Sequence, residues 1–445
     1  MHSLKASLTK LTLIALPIIG ATAIAETSNT EGLYQLPDSF DAITKWSSPL
    51  DGKRAQYYRN KYRAHDYASG NDIGTYAYLN INQVITTVSV ARSGDIAALT
   101  PDPKPHLLST TAKTKLGELS LEDAINDPRS RLQGMIIAHK GKISMEVYPG
   151  MQSHQKHVWN SASKTITGVL IHQLLLEEKL DLNATVDFYL PEFKEVPLGK
   201  ITVANLLHHR SGLDMVETQS NIENPKHPLG LGLGAALSHR GSTAGISTSD
   251  ILMSVGNLRE DQGLVFDYSS FNTQVLGMII EKVENRSLDS IMSSRVWSKV
   301  GMERDALVGL SQFGEILNGG IIASTLRDMA RFAIALSPSS STVASTALVG
   351  ENYYQRVSDA TDLKAYQAGY QGQRMIGNFG ADSGLIGSSY QWDAVFADGD
   401  MYKAGLGGQG LYVSPRTDTV VVWFSSTYRN SLSIAAYARA IVEKF

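Results

Sequence analysis

The chain has 445 residues, 43% of them hydrophobic, which excludes collagen-like, largely disordered and coiled-coil classes. Its 43 acidic and 40 basic side chains leave a net charge of −3, which speaks against nonspecific nucleic-acid binding. No cysteine is present, so disulfide frameworks, thiol nucleophiles, iron–sulfur clusters and cysteine-ligated zinc are all removed.

Residues 1–25 read as an export leader: Lys5 and Lys10 precede an apolar stretch over 11–20, and Ala23-Ile24-Ala25 forms a cleavage site. The apolar stretch falls short of the ~20 residues that span a bilayer. Cleavage after Ala25 removes two lysines and no acid, which takes the net charge from −3 to −5. Without cysteine there is no lipid-anchored N-terminus, so a periplasmic or secreted chain with no stable membrane anchor is expected. Residues 26–128 are polar and turn-rich, with Asp102-Pro103-Lys104-Pro105 as a linker signal. This N-terminal extension either covers a cleft or packs on a sheet edge, and its pattern leaves both open.

From Leu132 the pattern sharpens. Two apolar runs around His139-Lys140-Gly141-Lys142 predict a pair of strands joined by a glycine turn. Residues 161–178 place Ile166, Val169, Leu170, Gln173 and Leu174 at helical spacing, so a long helix is predicted from about Ser161. Further helices are predicted around 201–210, 272–285 and 325–336. Glycine, serine and proline concentrate in 225–245 and 337–346, which read as loops. Near the end, residues 411–414 and 419–424 form a second predicted hairpin, and 431–445 an amphipathic helix. Strands at the middle and the end of the chain, around a helical insert, imply one sheet built from distant pieces.

Several patterns look functional without the context that function requires. Gly405-Leu406-Gly407-Gly408-Gln409-Gly410 fits G-x-G-x-x-G, but a strand follows it where a dinucleotide site needs a helix. Gly230-Leu231-Gly232-Leu233-Gly234 lacks the lysine of a phosphate loop and reads as a flexible surface loop. His154, His157, His208 and His209 have no carboxylate cluster or H-E-x-x-H around them, so structural roles are expected and no metal site. No serine has glycine on both sides at the spacing of a nucleophile elbow.

S-x-x-K occurs at Ser7/Lys10, Ser153/Lys156 and Ser161/Lys164, and only the third opens a long apolar helix. A serine there meets the free N–H groups and the positive end of the helix dipole, which stabilise developing negative charge. Three residues on is nearly one turn, so Lys164 projects from the same face as Ser161. A lysine buried among apolar neighbours loses proton affinity and becomes a base for the hydroxyl.

The run Trp159-Asn160-Ser161-Ala162-Ser163-Lys164-Thr165-Ile166-Thr167-Gly168 resembles the nucleophile segment of the serine β-lactamase / penicillin-binding-protein superfamily. Within it, the class C-like esterases and 6-aminohexanoate-oligomer hydrolases are the most similar branch. Later motifs agree in order: Asn205-Leu206-Leu207-His208-His209-Arg210-Ser211-Gly212-Leu213, then Phe266-Asp267-Tyr268-Ser269-Ser270-Phe271-Asn272, then Asp328-Met329-Ala330-Arg331-Phe332, then Gly407-Gly408-Gln409. The resemblance covers about residues 130–445.

It implies an α+β, β-lactamase/transpeptidase-like fold. An antiparallel sheet flanked by helices, the C-terminal one included, carries an inserted and mostly helical lobe. The expected catalytic unit spans 129–445, with a sheet lobe at 129–160 and about 300–445, and a helical lobe at about 161–300. Ser161 is then the nucleophile, Lys164 its proton acceptor or electrostatic partner, and Tyr268 the second acid/base that passes a proton to the leaving group, with either Lys164 or Tyr268 open as the general base. The final motif strand is expected to pair a Leu406 N–H with that of Ser161 as an oxyanion hole, and Asn272, Gly407, Gly408 and Gln409 to bind substrate.

Two departures matter. Tyr-x-Asn is replaced by Tyr268-Ser269-Ser270, with Asn272 two residues further on, as in the aminohexanoate-oligomer branch. The stretch 404–409 carries no basic side chain where lactam-directed members have Lys-Thr-Gly or His-Thr-Gly, which weakens carboxylate recognition. Ester hydrolysis through an acyl-enzyme is therefore the first expectation, with no cofactor or metal and a small-molecule substrate. A linear amide comes second, and a β-lactam or D-Ala-D-Ala substrate third. A non-catalytic penicillin-binding-like protein is the other class, and intact Ser161, Lys164 and Tyr268 argue against it.

Overall fold

The computed structural model describes residues 36–238, 245–350, 352–428 and 432–445. The expected leader lies outside them. Seven antiparallel strands form the main sheet, in the spatial order Lys142–Val147, Leu132–His139, Thr419–Ser425, Gly410–Ser414, Met401–Ala404, Ala394–Phe396 and Leu385–Gly387. The two predicted hairpins meet at its centre, where Ile137 opposes Val421 and Ala138 opposes Val420. All seven residues of Thr419–Ser425 are buried, which is why this strand reads as a continuous apolar run.

Alternate residues of the central strands enter two separate cores. Val420, Val422 and Phe424 join Leu326, Met329 and Phe332 of the Leu326–Ala335 helix on one face. Val421 and Trp423 join Ile434, Tyr437 and Ile441 of the Ser433–Val442 helix on the other. This is the period-two consequence of the pleat, with a helix layer on each side. A smaller sheet of Thr87–Val90, Ala306–Gly309, Ile322–Ser324 and His157–Val158 supports the segment that leads into Ser161.

The helical insert contains Lys164–Leu176, Val203–Leu207 and Ser270–Glu284 as predicted, each shorter or shifted by a few residues. Residues 225–245 contain a correction: Pro228–Ala236 is a helix, not a loop. Pro228 occupies the first turn, His227 caps it through Leu229 N–H, and Gly232 sits where a Cβ would meet the Phe271 ring at 2.2 Å. The glycines of this stretch therefore include one needed for close packing. The pattern reading also passed over the helices Tyr353–Asp359, Leu363–Ala368 and Tyr370–Phe379.

The N-terminal segment packs into the same compact unit as the rest of the described chain. Its linker-like stretch runs along the sheet edge, where Asp102 and Lys104 N–H groups donate to the Ile143 and Ser144 carbonyls at 2.8 and 2.9 Å. The Thr111–Thr114 and Gly117–Ser120 hairpin lies against the C-terminal helix, and Tyr437 donates to the Leu119 carbonyl at 3.0 Å. Farther upstream, the Asp72–Leu79 helix packs against His157–Val158, which lead into Ser161. Among the described residues, no helix is long and apolar enough to cross a membrane, and no group of three His, Cys, Asp or Glu side chains is placed to hold a metal.

Candidate active site

Ser161 lies in a 3-10 turn, Asn160–Ser163, directly ahead of the Lys164–Leu176 helix. The tighter turn keeps residues three apart in line, so Lys164 Nζ reaches Ser161 Oγ at 3.0 Å. The same ammonium donates to Ser270 Oγ at 2.8 Å and to the Gly319 carbonyl. Among the described residues, no carboxylate is a direct partner of Lys164. Burial pushes Lys164 down to about 7; Lys403 reinforces the shift, while Glu217 and Asp393 oppose it.

Tyr268 immediately precedes the Ser270–Glu284 helix, whose N-cap Ser269 accepts from Phe271 N–H. Its ring stands between two lysines, with Lys164 Nζ 5.1 Å and Lys403 Nζ 4.5 Å from the ring centre. Lys403 Nζ also donates to the Tyr268 hydroxyl at 3.3 Å. Burial pushes the phenol well above its usual range, an effect that the nearby Ser161 hydroxyl partly offsets. The His209 ring packs beneath it at 4.6 Å, and burial followed by the two lysine charges holds that imidazole well below its usual range. His209 is thus a neutral packing partner, in line with the structural role expected for it.

Lys403 corrects the sequence reading. The strand Met401–Ala404 does carry a cation, one residue ahead of the stretch in which none was found. It is fully buried and ion-paired with Asp393, which also accepts the Ala404 N–H at 2.9 Å. Asp393 lies ten residues upstream on the adjoining hairpin, a relation that no local spacing announces. Glu217 was likewise missed; it accepts the Ser270 N–H at 2.6 Å and lies on the cleft wall. For Lys403 a signal did exist, since Lys403-Ala404-Gly405 has the spacing of Lys-Thr-Gly.

Ser161, Tyr268 and Leu406 all line one open cleft, together with Glu217, Arg374 and Met375. No hydrogen bond from the backbone N–H of Ser161 or of Leu406 occurs among the described residues. The expected substrate-binding residues do not reach this wall. Asn272 is fully buried, with Nδ2 directed at His209 Nδ1 at 3.5 Å. Gln409 is consumed in the interior, where its Nε2 donates to the Ser425 carbonyl at 2.8 Å. Gly407 and Gly408, at φ of 94° and 84°, make the turn behind Leu406, and their carbonyls accept from Ser425 Oγ and Trp423 Nε1. They shape the strand and do not face the cleft.

A serine with a buried lysine on the same helical face, set between an antiparallel sheet and a helical lobe, defines a serine hydrolase. The chain belongs to the Beta-lactamase family, whose model matches residues 127–444. It is 25% identical over 356 residues to the 6-aminohexanoate-dimer hydrolase of Paenarthrobacter ureafaciens, a match covering 79% of this chain and 85% of the relative. Among solved structures, one named "Putative 6-aminohexanoate-dimer hydrolase from Bacillus anthracis" superposes with a TM-score of 0.69 at 21% identity, over 86% of this chain and 96% of the other. EstCE1, described as a hydrolase with promiscuous acyltransferase activity, superposes with a TM-score of 0.55 at 17% identity, over 72% and 96%. These superpositions agree with the expected α+β, β-lactamase/transpeptidase-like fold.

Proposed function

We propose that this chain cleaves carboxylic esters through an acyl-enzyme formed on Ser161, in a scheme that needs no metal or organic cofactor. Neutral Lys164 accepts the Ser161 proton as Oγ attacks the ester carbonyl. The N–H groups of Ser161 and Leu406 hold the oxyanion; loss of one such donor typically costs roughly 10²–10³ in rate. Tyr268, kept as a neutral phenol by its burial, gives its proton to the leaving alkoxide and regains one from the lysine side. Water then attacks the acyl-enzyme and the proton transfers run in reverse, which frees the acid. The 3.0 Å contact between Lys164 Nζ and Ser161 Oγ, at a lysine with no direct carboxylate partner, carries this reading.

An ester ranks first because an alkoxide needs less protonation than an amine. Lys403, on the strand Met401–Ala404, is also neutralised by Asp393, so it offers a substrate carboxylate little net charge. A linear amide is the second reading, favoured by the similarity to the 6-aminohexanoate-dimer hydrolase over most of both chains. The expected leader makes the enzyme periplasmic or secreted, and a mature N-terminus at Glu26 would test that placement.

The deciding measurement is hydrolysis of short p-nitrophenyl esters, a linear 6-aminohexanoate dimer and a chromogenic cephalosporin, with Ser161→Ala in parallel. Ester turnover is expected to lead and to vanish in the variant, and a fluorophosphonate should label Ser161. Turnover of the cephalosporin alone would overturn the substrate ranking. Unchanged activity in Ser161→Ala would overturn the site.

A further inference from the structure

Residues upstream of the family match touch the strand turn that carries Leu406. We propose that Tyr67 and Tyr78 are positioning residues that set the oxyanion hole, an inference that rests on the proposed roles of the Ser161 and Leu406 N–H groups.

In a trans peptide the N–H points opposite to the carbonyl of the preceding residue. The Asn160 carbonyl accepts from Ser163 Oγ at 2.8 Å, and the Gly405 carbonyl accepts from Gly408 N–H at 2.9 Å. Each clasp turns the following N–H, of Ser161 or of Leu406, away from itself. Both residues line the cleft.

One side chain ties the Ser161 turn to the peptide that follows Leu406. Asn160, held at φ of 49° beside the nucleophile, donates from Nδ2 to the Leu406 carbonyl and to Gln409 Oε1, the latter at 3.2 Å. The Tyr67 hydroxyl donates to Asn160 Oδ1 at 2.5 Å, which fixes which end of the amide faces the strand. The Tyr78 hydroxyl donates to the Leu406 carbonyl at 3.3 Å. The two rings meet edge to face at 5.1 Å, and burial pushes both phenols above their usual range, so both remain donors.

The turn and the tyrosine fit each other. A Cβ at Gly407 would meet the Tyr78 ring at 2.6 Å, so the residue after Leu406 must be small for the phenol to reach the Leu406 carbonyl. Upstream, Asp66 accepts from Arg63 N–H and Asn71 Nδ2 at 2.9 and 3.0 Å, which fixes the turn between Tyr67 and the helix bearing Tyr78. An oxyanion donor works only within ~0.5 Å and 10–20° of its place. Hydroxyls that lock both flanking peptides supply that tolerance. Phenylalanine would fill the same space without supplying it.

The test compares Tyr67→Phe, Tyr78→Phe and the double variant with the parent. The readouts are kcat and KM on a p-nitrophenyl ester, the Ki of phenylboronic acid as a tetrahedral mimic, and Tm. Tyr57→Phe, on the exposed face of Gly52–Lys61, is the control and should match the parent. Each single variant is expected to lose about tenfold in kcat with KM within twofold, and its boronate Ki should rise by the same factor. A double variant whose kcat and Ki stay within twofold of the parent overturns the proposal, whatever its Tm. So does a kcat loss that leaves the boronate Ki unmoved. Ser161→Ala separates the two failures: if it stays active the site itself falls, and if it is inactive while the tyrosine variants are normal only the positioning role falls.

Discussion

The sheet side and the helical side of the cleft each bury one lysine against Tyr268, and the two lysines are held in different ways. Lys403, from the strand Met401–Ala404, has a carboxylate partner in Asp393. Lys164, from the nucleophile helix, has two hydroxyls and a carbonyl. Burial lowers the proton affinity of both, but at Lys403 the directly bonded Asp393 opposes it, whereas Lys164 is carried down to about 7. The difference teaches that an adjoining anion holds up the proton affinity that burial lowers. In the proposed scheme Lys164 is the lysine that exchanges a proton, and Lys403 stays paired with Asp393.

The largest effect should come from breaking the helical side. Lys164→Met is expected to lower kcat/KM by roughly 10²–10⁴, the usual share of a general base. Its Tm should hold or rise, because the change deletes a buried cation and strands no carboxylate. A marked loss of Tm in thermal melts would show that this ammonium is as well compensated as the other.

Lys403→Met should do the reverse, costing about 3–5 kcal/mol in denaturant unfolding because Asp393 is left buried without its cation. Adding Asp393→Asn should recover part of that loss. If the pair of changes were no better than the first alone, the ion pair would not be what stabilises this side.

The pH profile sharpens the contrast further. The protonated form of Lys164 cannot accept a proton, so kcat/KM should rise with pH through about 7. Lys403→Met removes a like charge, favours the protonated form, and should move this limb to higher pH. Glu217→Gln removes an opposite charge and should move it lower. Equal limbs in all three proteins would detach the limb from Lys164. The smallest effect is expected from Ser270→Ala, about tenfold or less in kcat/KM, since Lys164 keeps its other two partners.

What the sequence made legible was what is local. Ser161 and Lys164 lie three residues apart at the mouth of an apolar helix, and Tyr268 sits before another, so spacing and order expose them. The two hairpins were equally visible, because short apolar runs such as 135–138 and 420–424 lie next to turn signals. Leu385–Gly387 and Ala394–Phe396, at three residues each, are shorter than such runs, and with them went Asp393. Lys403 fell one position outside the window scanned for a basic residue. Tyr67 and Tyr78 were hidden for a different reason: a polar, turn-rich stretch gives no hint that two of its tyrosines end on the carbonyl and amide oxygens 90 and more residues away. Asn272 was misjudged because helical phase, and not nearness to Tyr268, decides which way a side chain faces.

The Asp72–Leu79 helix bears on where such an enzyme can be cut. The family model matches from residue 127, and a chain started there would retain the serine, both lysines and the Tyr268 phenol. It would also forfeit the strand Thr87–Val90 that borders the smaller sheet, and the two phenols behind the Leu406 turn. For this protein the upstream hundred residues belong in any swap or fusion that is meant to keep its chemistry.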